Sequence, residues 1–333
     1  MSRKRTTSIF LRILIIGGLF SLCFLPSAWS EIKEVDLIVT NVGFNPVFYP
    51  IDNKKVPLPA GIKVNLKTAS HSQAELYTLA TPNKPLVGIL SNVNIGKAYT
   101  HGMIFKIIAP YYREIVGPDG RSMGQLVVAK DSAIKTPKDL YGRKVAIQGE
   151  ADGSTIALKT VLKNNYNLDL SQINFVGLEN EIMPELLRRG DIDAAMFESD
   201  YILTSRFDQM YRTLVDFGKD LKAMYGVVPP AKFFVVRKDL YDQDPELYEK
   251  TVQYFRDNYQ WSLDHLEEIC QLESAHTGED YQIIMKHMVY ESRLDSLTAK
   301  DVEAFQYFYQ MAFEAGIIEQ IPDLNVIFEI KEK

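Results

Sequence analysis

The chain has 333 residues, 46% of them hydrophobic, and a formal charge of −6 from 43 acidic and 37 basic side chains. An acidic chain without a basic run excludes nucleic acid and anionic lipid surfaces as partners. With only Cys23 and Cys270 there is no cysteine metal cluster, and the length suits two lobes held by hydrophobic cores.

Residues 1–30 have the layout of a cleaved secretory signal. Arg3, Lys4, Arg5 and Arg12 form a basic head, Ile13–Leu25 an apolar run, and Pro26–Ser30 a small-residue exit. The apolar run is short of the roughly 18 residues that span a bilayer. Leu22 before Cys23 disfavours a lipid anchor, which needs a small residue there. Cleavage after Ser30 lowers Lys plus Arg from 37 to 33 and takes the charge from −6 to −10. It also leaves Cys270 alone, so an intramolecular disulfide is not expected.

Val35–Val39 alternates as a strand and empties into Asn41-Val-Gly43-Phe44-Asn45-Pro46. Ile62–Leu66, Leu86–Leu90 and Phe105–Ala109 read as further strands, with a helix from Ser70 or Ser72 to Leu79 and a loop at Ser91–Gly96. Val116–Gly124 is a polar loop leading to strand Gln125–Lys130. Lys144–Gln148 is a short apolar run, as for a strand buried on both faces. Gly153-Ser154-Thr155 opens a helix through Leu162, with free amides aimed above the sheet edge. Met183–Gly190 reads as a helix closed by glycine. Ile192–Phe197 returns to the sheet and delivers Glu198 and Asp200 to the same edge. Ala231–Arg237 is another strand, and the rest is helical, with Asp244-Pro245 and Thr298…Asp301 as helix starts. Strand and helix alternation implies largely parallel α/β sheets. The expected lobes are 31–124 with 232–333, and 125–231, hinged on strands near Gly124–Val128 and Ala231–Val235.

No motif carries catalysis. Gly120-Arg-Ser122-Met-Gly124 spells a nucleophile elbow but lacks the preceding strand and following helix. Gly149–Thr155 lacks the spacing and lysine of a phosphate loop. The five histidines show no ligand spacing, so neither metal nor cofactor is expected. Glu198 with Asp200 suits acid–base work but has no nucleophile beside it. Ligands of open α/β sheets bind at the carboxyl edge of the strands. The expected ligand residues there are Asn41, Phe44, Asn45, Tyr49, Asn92, Asn94, Gln148, Asp152, Gly153, Ser154, Thr155, Glu198 and Asp200. Phe44, Phe48 and Tyr49 either stack on a ligand or pack on Pro46 and Pro50. These loops hold carboxylates and no Arg, and their nearest Lys is Lys97. That favours an aromatic or cationic ligand over an anion.

Asp139-Leu-x-Gly-x-x-Val-Ala, Gly153-Ser154-Thr155 and Gly190-Asp-Ile-Asp-Ala-Ala resemble the solute-binding proteins of bacterial importers, in the branch of sulfonate, nitrate and thiamine-precursor binders. So do the Trp261 helix, Thr277-Gly278, Leu297-Thr-x-x-Asp and Ala315-Gly316-Ile-Ile. The resemblance covers nearly the whole chain after the signal. It implies a two-lobed, type II periplasmic-binding-protein-like α/β fold with a hinge of two crossing strands. It further implies a periplasmic monomer that hands a small molecule to a membrane permease and its ATPase subunit. Asn45-Pro46 resembles the Asn-Pro turn of the thiamine-pyrimidine binders, with smaller residues and Phe48 where they carry Trp and His. A sulfonate or nitrate binder, a sensory module and a pyrimidine-synthesis-like enzyme share the fold. The enzyme's cysteine-rich motif is missing here.

Overall fold

A computed structural model describes residues 32–328 except 40–44, 70–78, 115, 118–119, 123, 151, 199–201, 203–206 and 290. Two sheets organise the chain. The first has the order β11-β4-β10-β3-β1-β2. Its members are β1 (Lys33–Val39), β2 (Ile62–Thr68), β3 (Leu86–Ser91), β4 (Phe105–Glu114), β10 (Lys232–Arg237) and β11 (Glu291–Ser292). The second has the order β7-β6-β8-β5-β9. It is built from β5 (Gln125–Ala129), β6 (Lys144–Ile147), β7 (Asn174–Gly177), β8 (Ala194–Phe197) and β9 (Tyr211–Asp216). In each sheet a parallel core carries antiparallel strands on one side. β1 runs parallel to β2 and β3, and β6 to β7 and β8. β10 opposes β3 and β4, and β5 opposes β8 and β9.

The helices in chain order are α1 (Phe48–Asp52), α2 (Asn92–Thr100), α3 (Gly153–Asn164), α4 (Met183–Arg189), α5 (Phe207–Met210) and α6 (Phe217–Tyr225). They continue with α7 (Lys238–Gln243), α8 (Pro245–Asp264), α9 (Leu266–Thr277), α10 (Tyr281–Val289), α11 (Ala299–Glu314) and α12 (Leu324–Ile327). Asp244 caps α8 ahead of Pro245, and Thr298 with Asp301 closes a capping box on α11. Strand β9, whose Arg212 and Thr213 break an apolar run, strand β11 and helices α1, α5 and α6 were not read from the sequence. None of the described helices is long and apolar enough to cross a membrane.

Short strands such as Val145–Ile147 and Ala194–Phe197 are essentially without exposure, because helices cover both faces of the second sheet. The chain passes between the sheets twice, from β4 to β5 and from α6 to β10. This is the two-lobed periplasmic-binding-protein-like fold with its double crossing. Arg113, at the end of β4, ties the crossings together: its guanidinium donates to the Val228 carbonyl, to Asp301 at 2.6 Å and to Asp295 at 2.7 Å. Helix α11 belongs to both sides. Ala304 packs in the core of the second sheet, while Phe305, Tyr309 and Ala312 pack in that of the first. Lys163 of α3 meets Glu314 at 2.9 Å, and the rings of Tyr225 and Tyr307 stack at 5.5 Å.

Candidate functional site

On the first sheet, Asn41 and Phe44 lie outside the described residues. Asn45 organises the turn that follows them. Its side-chain oxygen accepts from Val47 N at 3.0 Å, and its amide donates to the Tyr111 hydroxyl at 2.5 Å. Phe48 is buried against Tyr111, with centroids 5.7 Å apart, so the packing role holds for that ring. Tyr49 is half-buried and leans on Trp261 at 6.4 Å, which in turn stacks on His265 at 4.1 Å.

Asn92 and Asn94 sit not in a loop but on the first turn of α2, because the Ser91 hydroxyl accepts from Asn94 N and starts the helix one residue after β3. Asn92 is 5% exposed. Its side-chain oxygen accepts from Val93 N at 2.8 Å, while its backbone N–H donates to Ala231 O at 3.1 Å and its backbone carbonyl accepts from the Tyr309 hydroxyl at 3.1 Å. The backbone is thus pinned on both sides and the side chain is held at its oxygen.

On the second sheet, α3 begins at Gly153, but the cap is Asp152 rather than Ser154 or Thr155. Its carboxylate accepts from Thr155 N at 2.9 Å and also faces the amides of Gly153 and Ser154. A carboxylate satisfies several of these orphan donors at once and complements the helix dipole, so it displaces a hydroxyl as cap. Burial pushes the Asp152 carboxyl above its ordinary pKa against the pull of those amides. Glu198, at the end of β8, accepts from the Gln148 side-chain amide at 3.0 Å and from the Ser154 hydroxyl. Burial, then the charge of Asp152, raises its pKa, while Lys232 opposes the rise. Gln148, Asp152, Ser154 and Glu198 thus form one polar cluster. Thr155 is fully buried beneath it, and Asp200 lies outside the described residues.

The two edges touch. A Cβ built on Gly153 would stand 3.0 Å from the Asn92 side-chain oxygen, a contact that a larger residue makes only if the neighbour gives by a few tenths of an ångström. A small cavity of about 70 Å³ begins at this contact. Asn92, Tyr112, Gly153 and Ser154 form its polar end, and Leu221, Tyr225 and Phe308 its apolar end. At about 70 Å³ the cavity is smaller than the roughly 300–1,000 Å³ usual for a ligand site, so it offers a seat for part of a molecule with an apolar edge and a few hydrogen-bonding groups.

Sequence reasoning missed Tyr112, which lines the cavity, and Lys232. The reading that the edge has no cation nearer than Lys97 is corrected: the antiparallel return of β10 sets Lys232 opposite both Ser91 and Tyr112. A pairing between residues over a hundred positions apart leaves no local signal. The elbow-like Ser122 is fully buried and its hydroxyl donates to Asp216 at 2.5 Å ahead of β5. Among the described residues no group of three or more His, Cys, Asp or Glu is placed to hold a metal.

Residues 108–314 match the family model described as Menaquinone biosynthesis. No curated protein matches the sequence. Among solved structures, the periplasmic aliphatic sulphonate binding protein of Escherichia coli is similar with a TM-score of 0.70 and 16% identity, over 89% of this chain and 97% of that one. The alkanesulfonate-binding protein of Xanthomonas axonopodis pv. citri, bound to MOPS, gives 0.64 and 11% identity over 90% and 99%. The ligand-binding component of an ABC-type import system of Staphylococcus aureus, with zinc bound, gives 0.60 and 12% identity over 90% and 97%. At these identities the likeness is one of fold, and it agrees with the resemblance carried by the sequence motifs.

Proposed function

The chain belongs to the family described as menaquinone biosynthesis, and from its fold and cleft we infer that it is an extracytoplasmic solute-binding protein. It captures a small aromatic molecule between its lobes and passes it to the permease and ATPase of an importer. The observation that carries this reading is the cluster of Gln148, Asp152, Ser154 and Glu198 set against Asn92 across the contact at Gly153. Lobe boundaries of 31–124 with 232–333, and 125–231, belong to the proposal. They are supported by the sheets, since every strand of the second lies between 125 and 231. The basic, apolar and small-residue run of residues 1–30 supports export to the periplasm.

The ligand offers hydrogen-bond donors, such as those of an amine or amidine-like heterocycle, to Glu198. The charge of Lys232 acts on that carboxylate, which makes an aromatic donor a better fit than a simple cation. Solution calorimetry with aminopyrimidines, thiamine, taurine, alkanesulfonates and nitrate tests this. Glu198→Gln weakens the aromatic donors about tenfold or more through loss of a charge-assisted bond. Binding confined to nitrate and alkanesulfonates, indifferent to Glu198, contradicts the reading. The family's description favours a second reading, an enzyme using Asp152 and Glu198, both raised in pKa, for acid–base work. Mass spectrometry of the panel after incubation separates the two, because a binder returns every compound unchanged.

A further inference from the structure

Strand β4 is irregular where it reaches the cleft. Lys232 pairs with Tyr112 but Phe233 with Pro110, which leaves Tyr111 as an extra residue in a β-bulge. In a regular strand Tyr111 and Tyr112 would point to opposite faces. The bulge instead sets both rings beside one cation. The Arg293 guanidinium carbon lies 5.0 Å from the Tyr111 ring centroid and 5.5 Å from that of Tyr112. The short strand β11 delivers it there by pairing Glu291 with Glu114 and Ser292 with Arg113.

This cluster is built rather than incidental. The Arg293 side chain is 10% exposed, it pairs with Glu291 and hydrogen-bonds Tyr111, and only its Nη1 is buried without a hydrogen-bond partner among the described residues. Asn45 fixes the Tyr111 hydroxyl, and Tyr112 reaches the cavity shared with Asn92 and Ser154. A buried guanidinium donor without an acceptor is costly to keep. A planar fork also matches a carboxylate or sulfonate better than a lysine would.

We propose that Arg293 recognises an acidic substituent of the ligand, a carboxylate or sulfonate, with Tyr111 and Tyr112 as the rings beside it. This rests on the reading of the cleft as a ligand site and sharpens it. The ligand is an aromatic molecule with an acid at the first lobe and a hydrogen-bond donor at the second.

The test compares benzoate, benzenesulfonate and neutral benzamide on the purified protein by calorimetry, alongside thiamine. Benzoate or benzenesulfonate binds about tenfold or more tightly than benzamide, and the better of the two names the acid. Arg293→Met brings the acid-to-amide ratio near unity while benzamide affinity stays unchanged, and Arg293→Lys keeps part of the preference. Should Arg293→Met fail to fold, Glu291→Gln/Arg293→Met removes both buried charges together and serves instead. A purely structural Arg293 would weaken acid and amide alike, which overturns the proposal. So does binding of benzamide or thiamine with no preference for the acids. If the wild type binds no compound of either panel, the reading of the cleft itself fails.

Discussion

Asp301→Ala gives the sharpest test of how the lobes are tied together. The Asp301 side chain has no exposure, and Arg113, its partner at 2.6 Å, is 9% exposed. Removing one member of a buried ion pair strands the other charge, at a cost of about 3–5 kcal/mol. Asp295 remains 2.7 Å from the Arg113 Nε but is 33% exposed, so it offsets only part of the loss. Asp301 also closes the capping box of α11, whose loss adds about 1 kcal/mol. The expected total is about 3–5 kcal/mol, a fall in Tm on the order of 10 °C. Guanidinium unfolding followed by far-UV circular dichroism reads it directly. Arg113→Met/Asp301→Leu, which exchanges the pair for apolar groups, recovers at least half of the loss. A loss under about 1 kcal/mol for Asp301→Ala, or a double variant equal to the sum of its parts, would refute the claim that this pair joins β4, the Val228 crossing and α11.

Glu198 also makes stability depend on pH. Its folded pKa is raised above the ordinary 4.5 by burial first and by Asp152 second, so the folded chain holds this proton more tightly than the unfolded one. Stability from that proton is present below the unfolded pKa and is lost as pH rises through the folded value. The Tm of Glu198→Gln relative to wild type therefore increases as pH rises above the ordinary carboxyl value, and a constant difference in a thermal scan contradicts the assignment. Cys270 is fully buried and its thiol is pushed up to about 11 by burial. In a Cys23→Ser background it stays unreactive toward a thiol-exchange reagent until guanidinium unfolds the chain, and rapid reaction of the native protein would show that the site opens.

Local physics made much of the fold legible. The apolar runs of β6 and β8, the Asp244-Pro245 helix start and the Thr298–Asp301 box all follow from neighbours within a turn or a strand. The polar cluster on the second sheet was partly legible because Gln148, Asp152 and Ser154 lie on one turn. What stayed hidden depends on distant pairing or on irregularity. Lys232 reaches the sheet edge only through β10, and Arg293 reaches Tyr111 and Tyr112 only through β11. Tyr111 and Tyr112 share one cation only because of a bulge that alternation alone cannot predict. Asn92 and Asn94 were read as loop because a hydroxyl cap directly after a strand leaves no turn residues to signal the change.

The central claim is that ligand is held where Asn92 meets the start of α3. A thermal-shift titration of wild type and Gly153→Val with the aromatic panel tests it most directly. The added Cβ stands 3.0 Å from an Asn92 oxygen already held by Val93 N, so the two edges must move apart at this contact. A ligand at about 100 times its Kd stabilises the wild type by roughly 2.7 kcal/mol, a shift of several degrees. That shift is expected in wild type and its loss, measured against the variant's own unliganded Tm, in Gly153→Val. Equal shifts in both proteins would place the ligand elsewhere.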